Sequence, residues 1–390
     1  KSIGWTDDDV NYFKYNNCVY PWEADKFKVS DANKQIVINN KSDIETYKDN
    51  PNFQYCPMFD TSNISYIDTL FNGCKYIRSI PLINTSKSTN LRYMFANCSN
   101  LTNIPQLNTS KVTNMSQMFD GCSSLNSVPL LDTSKVENMY GMFSGCDTLT
   151  TIPLLNTSNV TNMDSMFSGC DNLTTIPLLD TSKVTNMDYM FRICSSLTTI
   201  PLLDTHNVTG MNRMFENCSS LKYVPQLNTS KITSMIQIFS GCKSLTEGPQ
   251  WDTSSVTNMS YMFYDCNSLI SIPQMDTSKV TTMNQMFNRC YSLTSVPRLD
   301  ATSLTDAGSM FGPSYDRLNN FTTFGGLTNL KINLELSSSP KLTHDSLMNV
   351  INEAADVTAS PKTLTLGTEN LNKLTDEEKA IATNKGWTLA

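Results

Sequence analysis

The chain has 390 residues, of which 39% are hydrophobic and 17% charged, and carries a formal net charge of −7. That acidic balance argues against nucleic acid, whose phosphates need a basic face, so nucleic acid is not an expected partner. No apolar run is long enough to enter and cross a bilayer, and no signal peptide opens the chain, which begins at Lys1 and is expected to be a fragment or processed product of a larger polypeptide or assembly.

The first segment, residues 1–54, reads as an N-terminal cap. Thr6 precedes Asp7, Asp8 and Asp9, acidic residues suited to a helix start, with Val10 and Phe13 as inward positions. Lys34 to Ile38 reads as a strand, and Ser42-Asp-Ile-Glu45 as a capping box opening a short helix that ends before Pro51.

From residue 55 to 311 a 24-residue period governs every column. Cysteine recurs at 74, 98, 122, 146, 170, 194, 218, 242, 266 and 290, Phe recurs three residues earlier from Phe71 to Phe311, and Pro recurs from Pro57 to Pro297. A fixed period over this length means one small unit stacked on copies of itself, because no copy buries its own apolar face alone. In the unit, Met115, Met118, Phe119 and Cys122 fall at i, i+3, i+4 and i+7, which predicts a short helix capped by Thr113 or Asn114. Leu125, Val128 and Leu131 follow at spacing three, so a short irregular strand is expected over 125–128, then a bend at Pro129 and a second extended piece near Val136. About ten such coils at the strand spacing of roughly 5 Å make a rod on the order of 50 Å long, with Phe as an aromatic spine.

The period also settles how the cysteines are read. In-register neighbours lie roughly 5 Å apart at Cβ, wider than a disulfide wants, so the ten form a ladder of buried thiols, with Cys56 in the core of the first copy and only Cys18 outside the pattern. CxxC-type clustering is absent, which argues against a metal.

Beyond Gly312 the period stops. Leu330 to Leu336 reads as a strand and Leu347, Val350, Ile351 and Ala354 as a helix opened at Thr343 or Asp345. Leu364 to Leu366 reads as a strand, Thr375-Asp-Glu-Glu378 as a capping box, and Trp387 to Leu389 as a last strand after Gly386. Residues 312–390 are therefore expected to be a βαβαβ C-terminal cap rather than a catalytic domain.

The unit Asp-Thr-Ser-Lys-Val-Thr-Asn-Met-x-x-Met-Phe-x-Gly-Cys-x-x-Leu-x-x-Ile-Pro-x-Leu, as in Asp180 to Leu203, resembles the BspA-like leucine-rich repeat proteins in their 24-residue branch. The tail from Leu342 to Leu389 is similar to the endings of such proteins in gut bacteria and their phages. The resemblance implies an α/β repeat fold, a leucine-rich-repeat-like solenoid of about ten coils with short strands and short helices, capped at both ends. It also implies a non-enzymatic, surface-displayed adhesin of a bacterial envelope or a phage virion appendage, extracellular, without cofactor. It names no ligand; a structural spacer is the alternative function.

Catalytic motifs are absent from the sequence: GxSxG, HExxH, Walker A and GxGxxG do not occur. His206 replaces a Ser of the unit and is the best break in pattern; His344 opens a helix. The Asp/Asn column, for example Asp180 and Asp204 or Asp252, Asp276 and Asp300, sets a turn reading against a stacked-carboxylate calcium reading. Free exchange with Asn at 84, 108, 156 and 228 favours the turn. The lysine column at 111, 135, 183, 231 and 279 reads as a solvated edge. Variation concentrates in the two residues before Met-Phe and the two after Phe. Tyr189, Arg213, Tyr261 and Tyr264 are the candidate contact strip for a host-surface protein or glycan, set against the simpler reading that solvent-facing positions drift.

Overall fold

The computed structural model describes residues 39–390 apart from 58–60, 62–63, 65, 313–317 and 319. The expected helix at Thr6, the strand at Lys34 to Ile38 and Cys18 lie outside the described residues. Helix α1 (Lys41–Tyr47) is present, but its capping box is formed by Asn40 and Asp43 rather than by Ser42 and Glu45. Asn40 is extended and its side chain accepts from the amides of Ser42 and Asp43, so the helix starts one residue before Ser42.

The 24-residue units stack in register as a repeat solenoid. Eleven Phe rings, from Phe71 to Phe311, form one stack with centroids 5.6–6.0 Å apart and planes within 19° of parallel. The spine stops against Phe321, 5.0 Å from Phe311, and the edge of Phe324, at 5.3 Å. Met, Cys, Leu and Val columns surround it and are almost wholly buried.

The expected helix within each coil does not form. In one coil, the amides of Met163, Ser165, Phe167 and Gly169 donate to the carbonyls of Asn186, Asp188, Met190 and Arg192 in the next, at 2.7–3.0 Å. The intervening amides of Met166, Ser168 and Cys170 close turns onto Met163, Ser165 and Phe167. With every second N–H pointed along the rod, no i to i−4 ladder is left to build. The turns instead place Ser165 (φ 57°) and Gly169 (φ 75°) in the left-handed region, as a type II turn requires of its third residue. Met163, Met166, Phe167 and Cys170 all remain fully buried, so the four columns face the core in a conformation other than the helix that their spacing implied.

The expected strand over 125–128 is likewise unpaired over most of its length. Inter-coil parallel contact in the solenoid is mostly single bridges, notably Asn114 to Asn138, Asn162 and Asn186 in succession. Among the described residues, paired strands appear only toward the C-terminal end, where β1 (Ser295–Val296) pairs with β3 (Thr323–Phe324), and β2 (Leu299–Asp300) with β4 (Leu327–Thr328), all parallel. Beyond these come β5 (Leu334–Glu335), α2 (His344–Glu353), β6 (Lys362–Thr365), α3 (Thr368–Leu371), α4 (Asp376–Asn384) and β7 (Trp387–Leu389). The β5-β6-β7 sheet is parallel, with α2 capped by Thr343 and α4 by a Thr375/Glu378 box. The strand expected over Leu330 to Leu336 shrinks to two residues, and α3 is an element that sequence pattern missed. No helix among the described residues is long and apolar enough to cross a membrane.

The cysteines do more than fill space. All eleven described thiols are unpaired and buried. From Cys98 to Cys290 each Sγ–H donates to the Phe carbonyl of the preceding coil at 2.9–3.2 Å. Beyond the last cysteine, the buried Ser338 hydroxyl makes the same bond to Phe311 at 3.0 Å. Burial pushes every one of these thiols up, Cys74 to about 12. They are therefore neutral donors at ordinary pH rather than nucleophiles.

Candidate binding surface

The left-handed turn residues form a column on the outside of the rod. Tyr93, Gln117, Gly141, Ser165, Tyr189, Arg213, Gln237, Tyr261, Gln285 and Ser309 succeed one another at 24-residue intervals, each with φ between 50° and 58°. Glycine fills this position once; a residue with a Cβ pays about 1–2 kcal/mol for the same conformation. Tyr189, Arg213 and Tyr261 thus project from backbone the fold holds rigidly through inter-coil hydrogen bonds on both sides.

The four candidate residues fall into two clusters on this strip. The Arg213 guanidinium lies 5.6 Å from the centre of the Tyr189 ring, a cation–π contact. Two coils on, Tyr261 and Tyr264 pack edge to face with centroids 5.8 Å apart. Gln237 occupies the column between the clusters. The second cluster also recruits residues that sequence reasoning did not select: Arg289 sits 5.7 Å over Tyr264, and the Gln285 side chain donates to the Tyr261 hydroxyl at 3.1 Å. Near the first cluster, Arg192 pairs with the mostly buried Glu216 at 2.7 Å. A third aromatic of the same column, Tyr93, carries Arg92 at 4.6 Å from its ring centre. The signal that would have found these is the pairing of an aromatic with Arg or Gln one column or one coil away.

Behind the strip, burial raises the Asp164 and Asp188 carboxyls from their ordinary range, while Asp188 accepts from the Asn212 amide at 2.6 Å. These carboxylates hold the turns together and are already engaged.

The Asp/Asn column is a row of turns. Asn108, Asp132, Asp180 and Asp276 each accept from both the amide and the hydroxyl of the serine two residues on. Those hydrogen bonds hold Asp132, Asp180 and Asp276 below the usual carboxylate range. His206 takes the serine's part against Asp204, through its amide and its Nδ1 at 2.6 Å. His344 reaches Glu378 at 2.8 Å, tying α2 to α4. No group of three or more His, Cys, Asp or Glu poised to hold a metal occurs among the described residues.

A second surface was not anticipated. The residue after each Pro forms a column in which Leu130, Leu154, Leu178 and Leu202 are 62–64% exposed. In sequence, these leucines sit out of phase with the buried 125, 128, 131 triad, the one cue to their exposure.

Comparison with known proteins gives the following. The family model described as "Mycoplasma protein of unknown function, DUF285" matches three tandem stretches, residues 42–152, 148–247 and 222–324. No curated protein matches the chain. Among solved structures, a leucine-rich repeat protein from Eubacterium ventriosum is 18% identical, covering 70% of this chain and 86% of its own, with a TM-score of 0.39. A leucine rich cell surface protein from Faecalibacterium prausnitzii is 20% identical over 63% and 83%, with a TM-score of 0.29. The functional domain of InlJ from Listeria monocytogenes, which includes a cysteine ladder, is 15% identical over 83% and 75%, with a TM-score of 0.22.

Proposed function

The chain belongs to the DUF285 family, and on that premise we propose that it is a non-enzymatic binding module of adhesion type, whose stacked repeats present side chains to a host-surface protein or glycan. In this reading it is a BspA-like protein displayed on a bacterial envelope or a phage virion, and Tyr189, Arg213, Tyr261 and Tyr264 make the contact. The observation that carries it is the contrast between columns. Buried Phe and Cys positions repeat almost without change, whereas the rigid left-handed column varies from coil to coil and at Tyr93, Tyr189, Arg213 and Tyr261 holds a large aromatic or cationic side chain where glycine would be less strained. Aromatic faces beside Arg and Gln donors suit both sugar rings and protein hot spots.

The test is binding of the full chain to host-cell surfaces and to a glycan array, with all four residues replaced by Ala. These residues lie outside the core, so the variant should melt within a few degrees of the wild type and lose binding by at least about tenfold. Unchanged binding removes the strip; a wild type that binds nothing on either platform favours the spacer.

A further inference from the structure

We propose that the row Leu130, Leu154, Leu178 and Leu202 is a docking track for an amphipathic α-helix of a partner protein, apolar once per turn and basic along one edge.

The row is not needed by the fold. Elsewhere in the same column Gln106, Gln226, Gln250 and Gln274 turn back and donate to the carbonyl of the next coil's residue, at 2.8 Å for Gln106, 3.2 Å for Gln250 and 2.7 Å for Gln274. Glutamine there ties coil to coil. Leucine cannot make that bond and instead leaves most of its side chain in water in four successive coils. An uninterrupted apolar row on an otherwise polar surface marks an interaction site.

Spacing selects the occupant. The coils bearing these leucines rise 5.6, 5.8 and 5.7 Å in turn along the spine, so the row is about 17 Å long. An α-helix advances about 5.4 Å per turn, and three turns cover about 16 Å, so one apolar residue per turn meets one leucine per coil along the whole row. An extended strand, at about 3.3 Å per residue, would match only at irregular intervals.

Charge selects the edge. Asp132, Asp180 and Asp204 lie two residues past Leu130, Leu178 and Leu202, held below the usual carboxylate range by hydrogen bonds from Ser134, Ser182 and His206, and these three carboxylates outnumber the two lysines, Lys135 and Lys183, three residues further on. A hollow of about 490 Å³ lies at the Leu130 end of the row, lined by Leu130, Leu154, Asp132 and Thr133 among others. The Thr133 hydroxyl is buried without a partner. A basic flank on the helix complements that rim, whereas a second copy of this chain, at net charge −7, or an anionic lipid surface is opposed by it.

The experiment uses the full chain and a fluorescent synthetic helix of about five turns, leucine once per turn and lysine along one edge, read by anisotropy. Saturable binding is expected. Leu154→Gln with Leu178→Gln should weaken it at least tenfold, and this substitution installs the residue that neighbouring coils already use. Asp132→Asn, Asp180→Asn and Asp204→Asn together should weaken it about threefold and flatten its salt dependence, and Asn already serves the same turn at Asn108 and Asn156. No saturable binding, or binding that neither variant alters, overturns the proposal. So does sedimentation showing a dimer of the chain that disappears in the glutamine variant, since the row would then be covered by a second copy.

Discussion

Gly248 and Trp251 break the repeat together, at columns that from residue 80 to residue 299 otherwise hold Ile or Val and Leu, Ile or Met. The indole is 4% exposed, lies 5.2 Å from the Phe239 ring and donates to the Pro225 carbonyl at 3.2 Å, so it packs beside the spine in the same coil that lacks the Ile or Val side chain. Trp251→Leu alone removes part of a buried aromatic and a hydrogen bond, at a cost of about 3 kcal/mol. Gly248→Ile alone starts from a Cβ that would meet Pro273 at 3.2 Å and Phe263 at 3.3 Å with the indole still in place, costing about 2 kcal/mol by overpacking. The double variant recreates the ordinary coil and should lie within about 1–2 kcal/mol of the wild type, giving a favourable coupling of about 3–4 kcal/mol. Urea denaturation followed by far-ultraviolet circular dichroism on all four proteins measures it. Costs that add to within about 0.5 kcal/mol would show that the two sites do not share a cavity, and the compensation argument would fail.

Two further predictions concern the thiol ladder. Cys170→Ser keeps a donor for the Phe143 carbonyl, as Ser338 does for Phe311, and should cost about 1 kcal/mol, whereas Cys170→Val loses the bond and crowds a filled column for about 2–4 kcal/mol; thermal melts rank the pair, and a more stable valine would mean the thiols act only as small hydrophobes. Because folding raises the thiol pKa values through burial, the folded state holds protons that the unfolded chain releases above about pH 8.5. Stability should therefore be intact below that pH and fall as pH rises toward the folded values, by up to about 1.4 kcal/mol per thiol per pH unit, and denaturation midpoints between pH 7 and 10.5 read the slope.

The period, the columns that face inward and the unpaired state of the thiols are legible in the sequence because stacking identical units forces like side chains above like. The Asp/Asn column was legible as a row of turn formers because free exchange between Asp and Asn shows that charge is not what the position needs, whereas the part of His206 in its turn with Asp204 emerges only in the structure. Within the C-terminal cap, Thr343 and Thr375 were recognisable because capping is local chemistry between residues two or three apart.

What sequence left undecided was how the backbone travels between buried positions. Met163, Met166, Phe167 and Cys170 satisfy a helical spacing and a succession of tight turns equally well, since both put them on one face. The choice belongs to hydrogen bonds between coils 24 residues apart, which draw every second amide out of any helix and force Ser165, Tyr189, Arg213 and Tyr261 into left-handed backbone. The same long-range stacking brings Arg213 onto Tyr189 and lines up Leu130 with Leu202, relations that exist only once the coils are laid one on another. Local pattern determined what is buried; neighbouring coils determined the conformation in which it is buried and which exposed side chains meet.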